Sequence, residues 1–178
     1  VSTKEGKELI EAERKSGKQV FVLEQVVYSP ELEAIQSAID SGEIGVPICF
    51  ERADHVFMDE TADQTGGYGG TAWRQHADFP LGLIFDAGIH ALAQLSTLFG
   101  APKSLLASGV KLREEYGEYD QELVHLRYEN NVSGSYNHSG ILGGMDNYSV
   151  IRGTEGAIAK HGDTPWKILY KRGGEKPL

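Results

Sequence analysis

Apolar positions recur at helical spacing in the first half of the chain and at a period of two in the second. Residues 2–15 carry only Leu9, Ile10 and Ala12 among many charges, which predicts a helix with one narrow apolar stripe. Ser2 and Glu5 have the spacing of a capping box, and Gly17 ends the segment. Residues 19–27 are nearly continuous in Val, Phe and Leu, the composition of a strand buried on both faces. A helix feeding such a strand reads as half of a βαβ unit whose parallel neighbours are expected outside these residues.

A second helix is predicted over 30–41, with Ser29 as N-cap, Pro30 in its first turn and Gly42 as its stop. Leu32, Ile35 and Ile39 form its apolar face. Ile44, Val46, Ile48 and Phe50 then alternate, which predicts a half-buried strand over 44–57. Between 58 and 80 the pattern dissolves into Gly, Thr, Asp and Gln around Trp73 and Arg74. A loop of that length inside a domain points to function. The strongest helix spans 81–99, with Leu83, Ile84, Ala87, Ala91, Leu95 and Leu98 on one side and Gly100 and Pro102 behind it. Strands follow at 103–112, 121–129, 132–139, 147–152, 156–160 and 166–171. Glu129-Asn130-Asn131, Thr154-Glu155-Gly156 and Gly162-Asp163-Thr164 supply the turns between them. The chain thus reads as a fragment of α/β followed by helices laid on a largely antiparallel sheet.

Charge narrows the function. The 178 residues hold 17 Lys and Arg against 26 Asp and Glu, a formal net charge of −9. That balance argues against nucleic acid and anionic membrane as partners, because both require clustered cations. Cys49 is the single cysteine, so a disulfide framework is excluded, and it reads as a small core residue. No apolar run approaches the ~20 residues of a membrane span, and Val1 opens no signal peptide. A soluble, cytoplasmic protein is expected.

Asp86 and His90 stand four apart on the long helix, within one turn of each other. A carboxylate beside an imidazole can orient the ring and make it an acid/base group; the same spacing also serves a plain surface pair. Gly82, Ala87, Gly88 and Ala91 leave room for another body to approach, at a cost in helix propensity. Trp73-Arg74 offers a flat apolar wall and a planar donor fork for a ligand, or else a loop anchor with a solvated cation. Gly67 to Ala72 satisfies the G-x-G-x-x-A dinucleotide pattern, but polar residues precede it and Pro80 follows. Without a strand feeding a helix N-terminus the match is rejected. The Asn-x-Ser triplets at Asn131, Asn137 and Asn147 read as chance matches in strands. No metal site is expected, since His55, His76, His125, His138 and His161 lack ligand spacing; His125 and His138 belong on sheet faces.

Three stretches together resemble a known family. They are Tyr28-Ser29-Pro30 followed by Ile44-Gly45, then Trp73-Arg74, and then Gly82-Leu83-Ile84-Phe85-Asp86-Ala87-Gly88-Ile89-His90 with Leu98-Phe99-Gly100 closing the helix. Gly153-Thr154-Glu155-Gly156 is similar to a later turn of the same pattern. The chain resembles the C-terminal part of the glucose–fructose oxidoreductase/inositol dehydrogenase (Gfo/Idh/MocA) family. The resemblance implies an α+β fold: an open, largely antiparallel sheet covered by helices on one face, preceded by a leftover helix and strand of a Rossmann domain. Residues 1–28 would be that remnant and 29–178 the sheet domain for substrate binding and oligomerisation. It further implies an NAD- or NADP-dependent oxidoreductase acting on a hydroxyl-bearing carbon of a sugar or cyclitol, with the dinucleotide held mainly by a Rossmann domain outside this chain.

By that likeness His90 and Asp86 are the catalytic pair, with His90 exchanging the hydroxyl proton. Trp73 and Arg74 border cofactor and substrate, and Tyr28 sits near the hinge. Val27 stands where the family often carries Arg. The family's Glu-Lys-Pro lysine is expected upstream; Glu175-Lys176-Pro177 repeats the tripeptide at the other end and is assigned no role. The isolated chain is expected to be inactive and to form a homodimer or homotetramer through its sheet. Two rival readings remain open: a sheet-mediated assembly module, and a non-catalytic ligand sensor of the same descent.

Overall fold

The computed structural model describes residues 2–56, 58, 68–78, 82–142, 144 and 146–178. Helix α1 (Thr3–Ser16) carries the expected capping box, with Glu5 N–H donating to Ser2 Oγ at 3.2 Å and Ser2 N–H to Glu5 Oε2 at 2.6 Å. Gly17 closes it at φ 65°, and none of its residues is buried.

The strand expected over 19–27 does not form. Residues 18–24 pair with no strand of the sheet, and Val20, Phe21, Val22 and Leu23 are 50–83% exposed. Apolar composition favours a ladder only where neighbouring strands are at hand, and none of the described strands reaches this segment. Its last residues instead form a 3₁₀ turn, Gln25–Tyr28, capped by Glu24, which accepts the Val26 N–H at 3.3 Å.

Helix α2 (Pro30–Asp40) starts as expected: Ser29 Oγ accepts the Leu32 N–H at 3.2 Å and Pro30 sits in the first turn. Eight strands follow: β1 (Pro47–His55), β2 (Pro102–Val110), β3 (Gln121–Tyr128), β4 (Ser133–Ser139), β5 (Tyr148–Gly153), β6 (Gly156–His161), β7 (Lys167–Tyr170) and β8 (Glu175–Pro177). They make one open sheet in the order β2-β3-β4-β1-β5-β6-β7-β8, antiparallel except where β1 and β4 run parallel. The long connection from β1 to β2 carries helix α3 (Ile89–Phe99).

Helices α2 and α3 cover one face of this sheet. Ile35, Ala38, Leu95 and Phe99 pack there with Phe50, Val124, Leu126, Tyr128, Ile151, Ile158 and Ile168. Alternation along the strands turns Glu51, Leu123, His125 and Arg152 to the opposite face, which no described helix covers. His125 is therefore exposed, whereas His138 is fully buried, 3.6 Å from Glu122.

Two expectations about β1 need correction, and one further strand was not expected. Ile44 and Phe50 are buried, but Val46 and Ile48 are 66% and 51% exposed. The alternation is interrupted by a turn at Gly45 (φ 71°) and by a register shift between Pro47 and Cys49. Cys49 beside this bulge is accordingly half-buried rather than a core residue. The short β8 was hidden in a charged tail; it pairs with β7, and Lys176 upon it meets Glu43 at 2.6 Å. Among the described residues no helix is long and apolar enough to cross a membrane.

Candidate active site

The helix expected over 81–99 is not uniformly α. Residues Ile84–Gly88 form a π turn ahead of α3. Such turns cost hydrogen-bond geometry and are frequent at functional sites. Two glycines permit this one. Gly82 enters the helix at φ 63°, where a side chain would be strained. At Gly88 a Cβ would lie 2.8 Å from Ile84 Cγ1 and 3.0 Å from the Tyr136 hydroxyl oxygen. The body for which the small residues leave room is thus, at Gly88, the chain's own Tyr136 in β4.

Asp86 sits inside the π turn. Arg74 grips its carboxylate with two N–H groups, Nε to Oδ2 at 2.7 Å and Nη2 to Oδ1 at 3.3 Å. Both side chains are mostly sheltered, at 14% and 16% exposure. A third Arg74 N–H donates to Thr71 Oγ1 at 2.6 Å, and the guanidinium lies 4.1 Å over the Trp73 ring, which is half-exposed. Arg74 is thus not the solvated cation of the second reading: it is sheltered and tied to Asp86, beside the half-exposed indole.

His90 opens the next turn, and its Nδ1 lies 2.7 Å from Glu24 Oε1. The expected pairing of Asp86 with His90 is replaced by two separate pairs, Arg74–Asp86 and Glu24–His90. The cause is geometric. The four-residue spacing stacks side chains in an α-helix, but the wider π turn rotates Asp86 relative to the α-helical His90. Sequence reasoning missed Glu24. The available signal was a lone carboxylate inside the apolar run, four residues before Tyr28.

Tyr28 lies apart from this cluster. It is 72% exposed and lines a groove with Leu32, Gln36 and Thr97, between α2 and the later turns of α3. The rejected glycine-rich match falls partly outside the described residues; its remainder makes a 3₁₀ turn, Tyr68–Gly70, with no helix after it. Among the described residues no cluster of His, Cys, Asp or Glu could hold a metal ion.

The loop that carries Arg74 is held from below. Tyr116, buried, donates its hydroxyl hydrogen to Gly69 O at 3.4 Å, and Gly117 N–H donates to His76 O at 3.2 Å. Met58, Leu83 and Tyr116 form a small second core here, with the Arg113 guanidinium 4.5 Å over the Tyr116 ring. Arg113 is paired in turn with Asp120, which is 1% exposed and accepts the N–H groups of Leu112 and Arg113 at 2.7 and 2.8 Å.

A model of the GFO/IDH/MocA C-terminal domain matches residues 32–159. The chain belongs to this family. It is 30% identical over 158 residues to trans-1,2-dihydrobenzene-1,2-diol dehydrogenase of Mus musculus, and 29% identical over 158 residues to that of Bos taurus. Each alignment covers 88% of this chain, but only 44% and 43% of the respective relative. The chain therefore spans less than half the length of these curated relatives.

Solved structures of oxidoreductases share the fold over nearly the whole chain. An oxidoreductase from Thermotoga maritima has a TM-score of 0.80 at 27% identity, over 97% of this chain and 51% of its own. The WlbA dehydrogenase from Bordetella pertussis, solved with NADH and UDP-GlcNAcA, has a TM-score of 0.78 at 20% identity, over 93% of this chain and 51% of its own. The open mixed sheet described above is the shared fold.

Proposed function

We propose that this chain is the substrate-side domain of an NAD(P)-dependent oxidoreductase that moves hydride to or from a hydroxyl-bearing carbon of a sugar, cyclitol or diol. Residues 29–178 form that domain in this reading, and 1–28 are the last helix of a dinucleotide-binding domain and the apolar segment that would complete a strand within that domain's sheet. The observation that carries the reading is the cluster at the head of α3. An imidazole with one nitrogen engaged by a carboxylate follows an arginine-gripped aspartate within one turn, beside a half-exposed indole. The dihydrodiol dehydrogenase relatives and the NADH-bound WlbA structure support the same chemistry.

The residues present fit the nicotinamide end of such a cofactor. Trp73 offers a flat apolar surface for a ring, and His90, 38% exposed, offers a proton site. They do not supply a pyrophosphate cradle, since no described strand feeds a glycine turn and helix N-terminus. A bound nicotinamide supplies the acceptor or donor for hydride. This chain's residues do the remaining work: His90 exchanges the hydroxyl proton, Arg74 fixes the Asp86 carboxylate at the site wall, and Trp73 excludes water from one side. The exposed 18–24 segment, with its unpaired apolar side chains, is where the dinucleotide domain would continue.

Calorimetric titration of this chain with NAD and NADP tests the division of labour. Binding no tighter than millimolar is expected, whereas micromolar affinity would show that these residues alone hold the dinucleotide. A second reading, assembly through the sheet, is favoured by Leu106 and Leu123, 75% and 45% exposed on the helix-free face. The occupant in that reading is a second copy of the chain, as a homodimer or homotetramer, and it is compatible with the enzyme.

A further inference from the structure

We infer that Glu24 is a positioning residue for His90. It fixes which ring nitrogen carries hydrogen and leaves Nε2 as the proton acceptor. This rests on the dehydrogenase reading above and adds to it a residue from outside the helix that bears His90. Three observations converge on it. Glu24 Oε1 lies 2.7 Å from His90 Nδ1, across 66 residues of sequence. The same oxygen accepts the Val26 N–H at 3.3 Å, so the carboxylate is oriented by its own 3₁₀ turn rather than free to swing. The Glu24 side chain is 20% exposed and the His90 side chain 38%, which leaves part of the ring facing solvent while the Nδ1 edge is covered.

An ionised carboxylate has acceptors only, so in the neutral ring the hydrogen between the two groups must sit on Nδ1. The Nε2 lone pair is then the open one, and among the described residues it has no partner. In the oxidation direction the substrate O–H bond breaks and an N–H bond forms at Nε2. The C–H hydrogen leaves the carbon with its electron pair as hydride for the nicotinamide, and a carbonyl remains. Glu24 then faces an imidazolium, whose charge it offsets. A carboxylate performs the same two tasks for the histidine of a serine-hydrolase triad, where replacing it with its amide leaves the wrong tautomer. Glu24 also belongs to the segment joining the two proposed domains, so its hold on His90 ties the proton site to that junction.

The tautomer can be read directly by nitrogen NMR of the ¹⁵N-histidine-labelled chain in mildly alkaline solution, without cofactor or substrate. Wild-type His90 is expected to carry hydrogen on Nδ1, and Glu24→Gln, whose amide can donate to the ring, to shift it toward Nε2–H. Glu24→Ala should do the same if the glutamine disturbs packing. A wild-type ring protonated on Nε2, or a tautomer unmoved by both substitutions, would overturn the inference. In the whole protein Glu24→Gln should lower kcat about 10²-fold with little change in KM. The two claims fail separately. A tautomer that follows Glu24 in a protein whose turnover ignores His90 removes the dehydrogenase reading and leaves the pairing intact.

Discussion

Replacing His90 with alanine in the whole protein is expected to cut kcat by about 10²–10⁴-fold, the span that one general acid–base group contributes. KM should stay within a few-fold, because the imidazole acts on a proton that moves in the transition state and adds little to ground-state binding. His90 is open enough for this work, at 38% exposure, and its only recorded partner among the described residues is Glu24. Removing it leaves the apolar core untouched, since α3 packs through Leu95 and Phe99. Folding and self-association should therefore survive. Steady-state kinetics beside size-exclusion chromatography separates the outcomes. Unchanged turnover would return the protein to the assembly-module or ligand-sensor readings.

Asp120→Asn should destabilise the chain by about 3–5 kcal/mol, the range for removing one partner of a buried ion pair. Arg113 would then keep its charge at 12% exposure, with the carbonyls of Met58 and Gly140 and the Tyr116 ring as its further partners among the described residues. A loss of that size lowers the melting temperature of a chain this long by on the order of 10 °C. Burial pushes the Asp120 carboxyl up, but the N–H groups of Leu112 and Arg113 and the Arg113 guanidinium outweigh it, and the net direction is down. A depressed folded pKa contributes stability above the unfolded carboxyl value of about 3.9, and that contribution is lost as pH falls through the lower folded value. The wild type should accordingly lose stability over that acidic interval, and Asp120→Asn should lose less of it. Because Arg113 lies over Tyr116, which supports the loop of Arg74, the substitution should also loosen Asp86. Thermal unfolding at neutral and acidic pH checks both. A change below about 1 kcal/mol would show that the pair is dispensable.

What the sequence disclosed was mostly local. Ser2 with Glu5, Ser29 with Pro30, and the period-two runs from β3 to β7 each state their structure within a few residues, and each was found where expected. The misses share a different character. Residues 19–24 have strand composition, but a strand exists only with a partner, and partnership is not local information. The bulge at Pro47 and Cys49 and the π turn at Ile84–Gly88 insert a residue into a regular period, so the alternation and the i,i+4 rule point to the wrong neighbours. Glu24 meets His90 only after the chain has folded back, and Arg74 reaches Asp86 across the long loop. The candidate residues could be named from the sequence; their pairings were set by tertiary geometry.

A crystal structure of the whole protein with bound NAD(H) or NADP(H) tests the central claim most directly. The nicotinamide ring should lie against the wall formed by Trp73, Asp86 and His90, with His90 Nε2 turned toward the substrate space. A ring seated away from α3, or His90 on the far side of the sheet from the cofactor, would contradict the assignment.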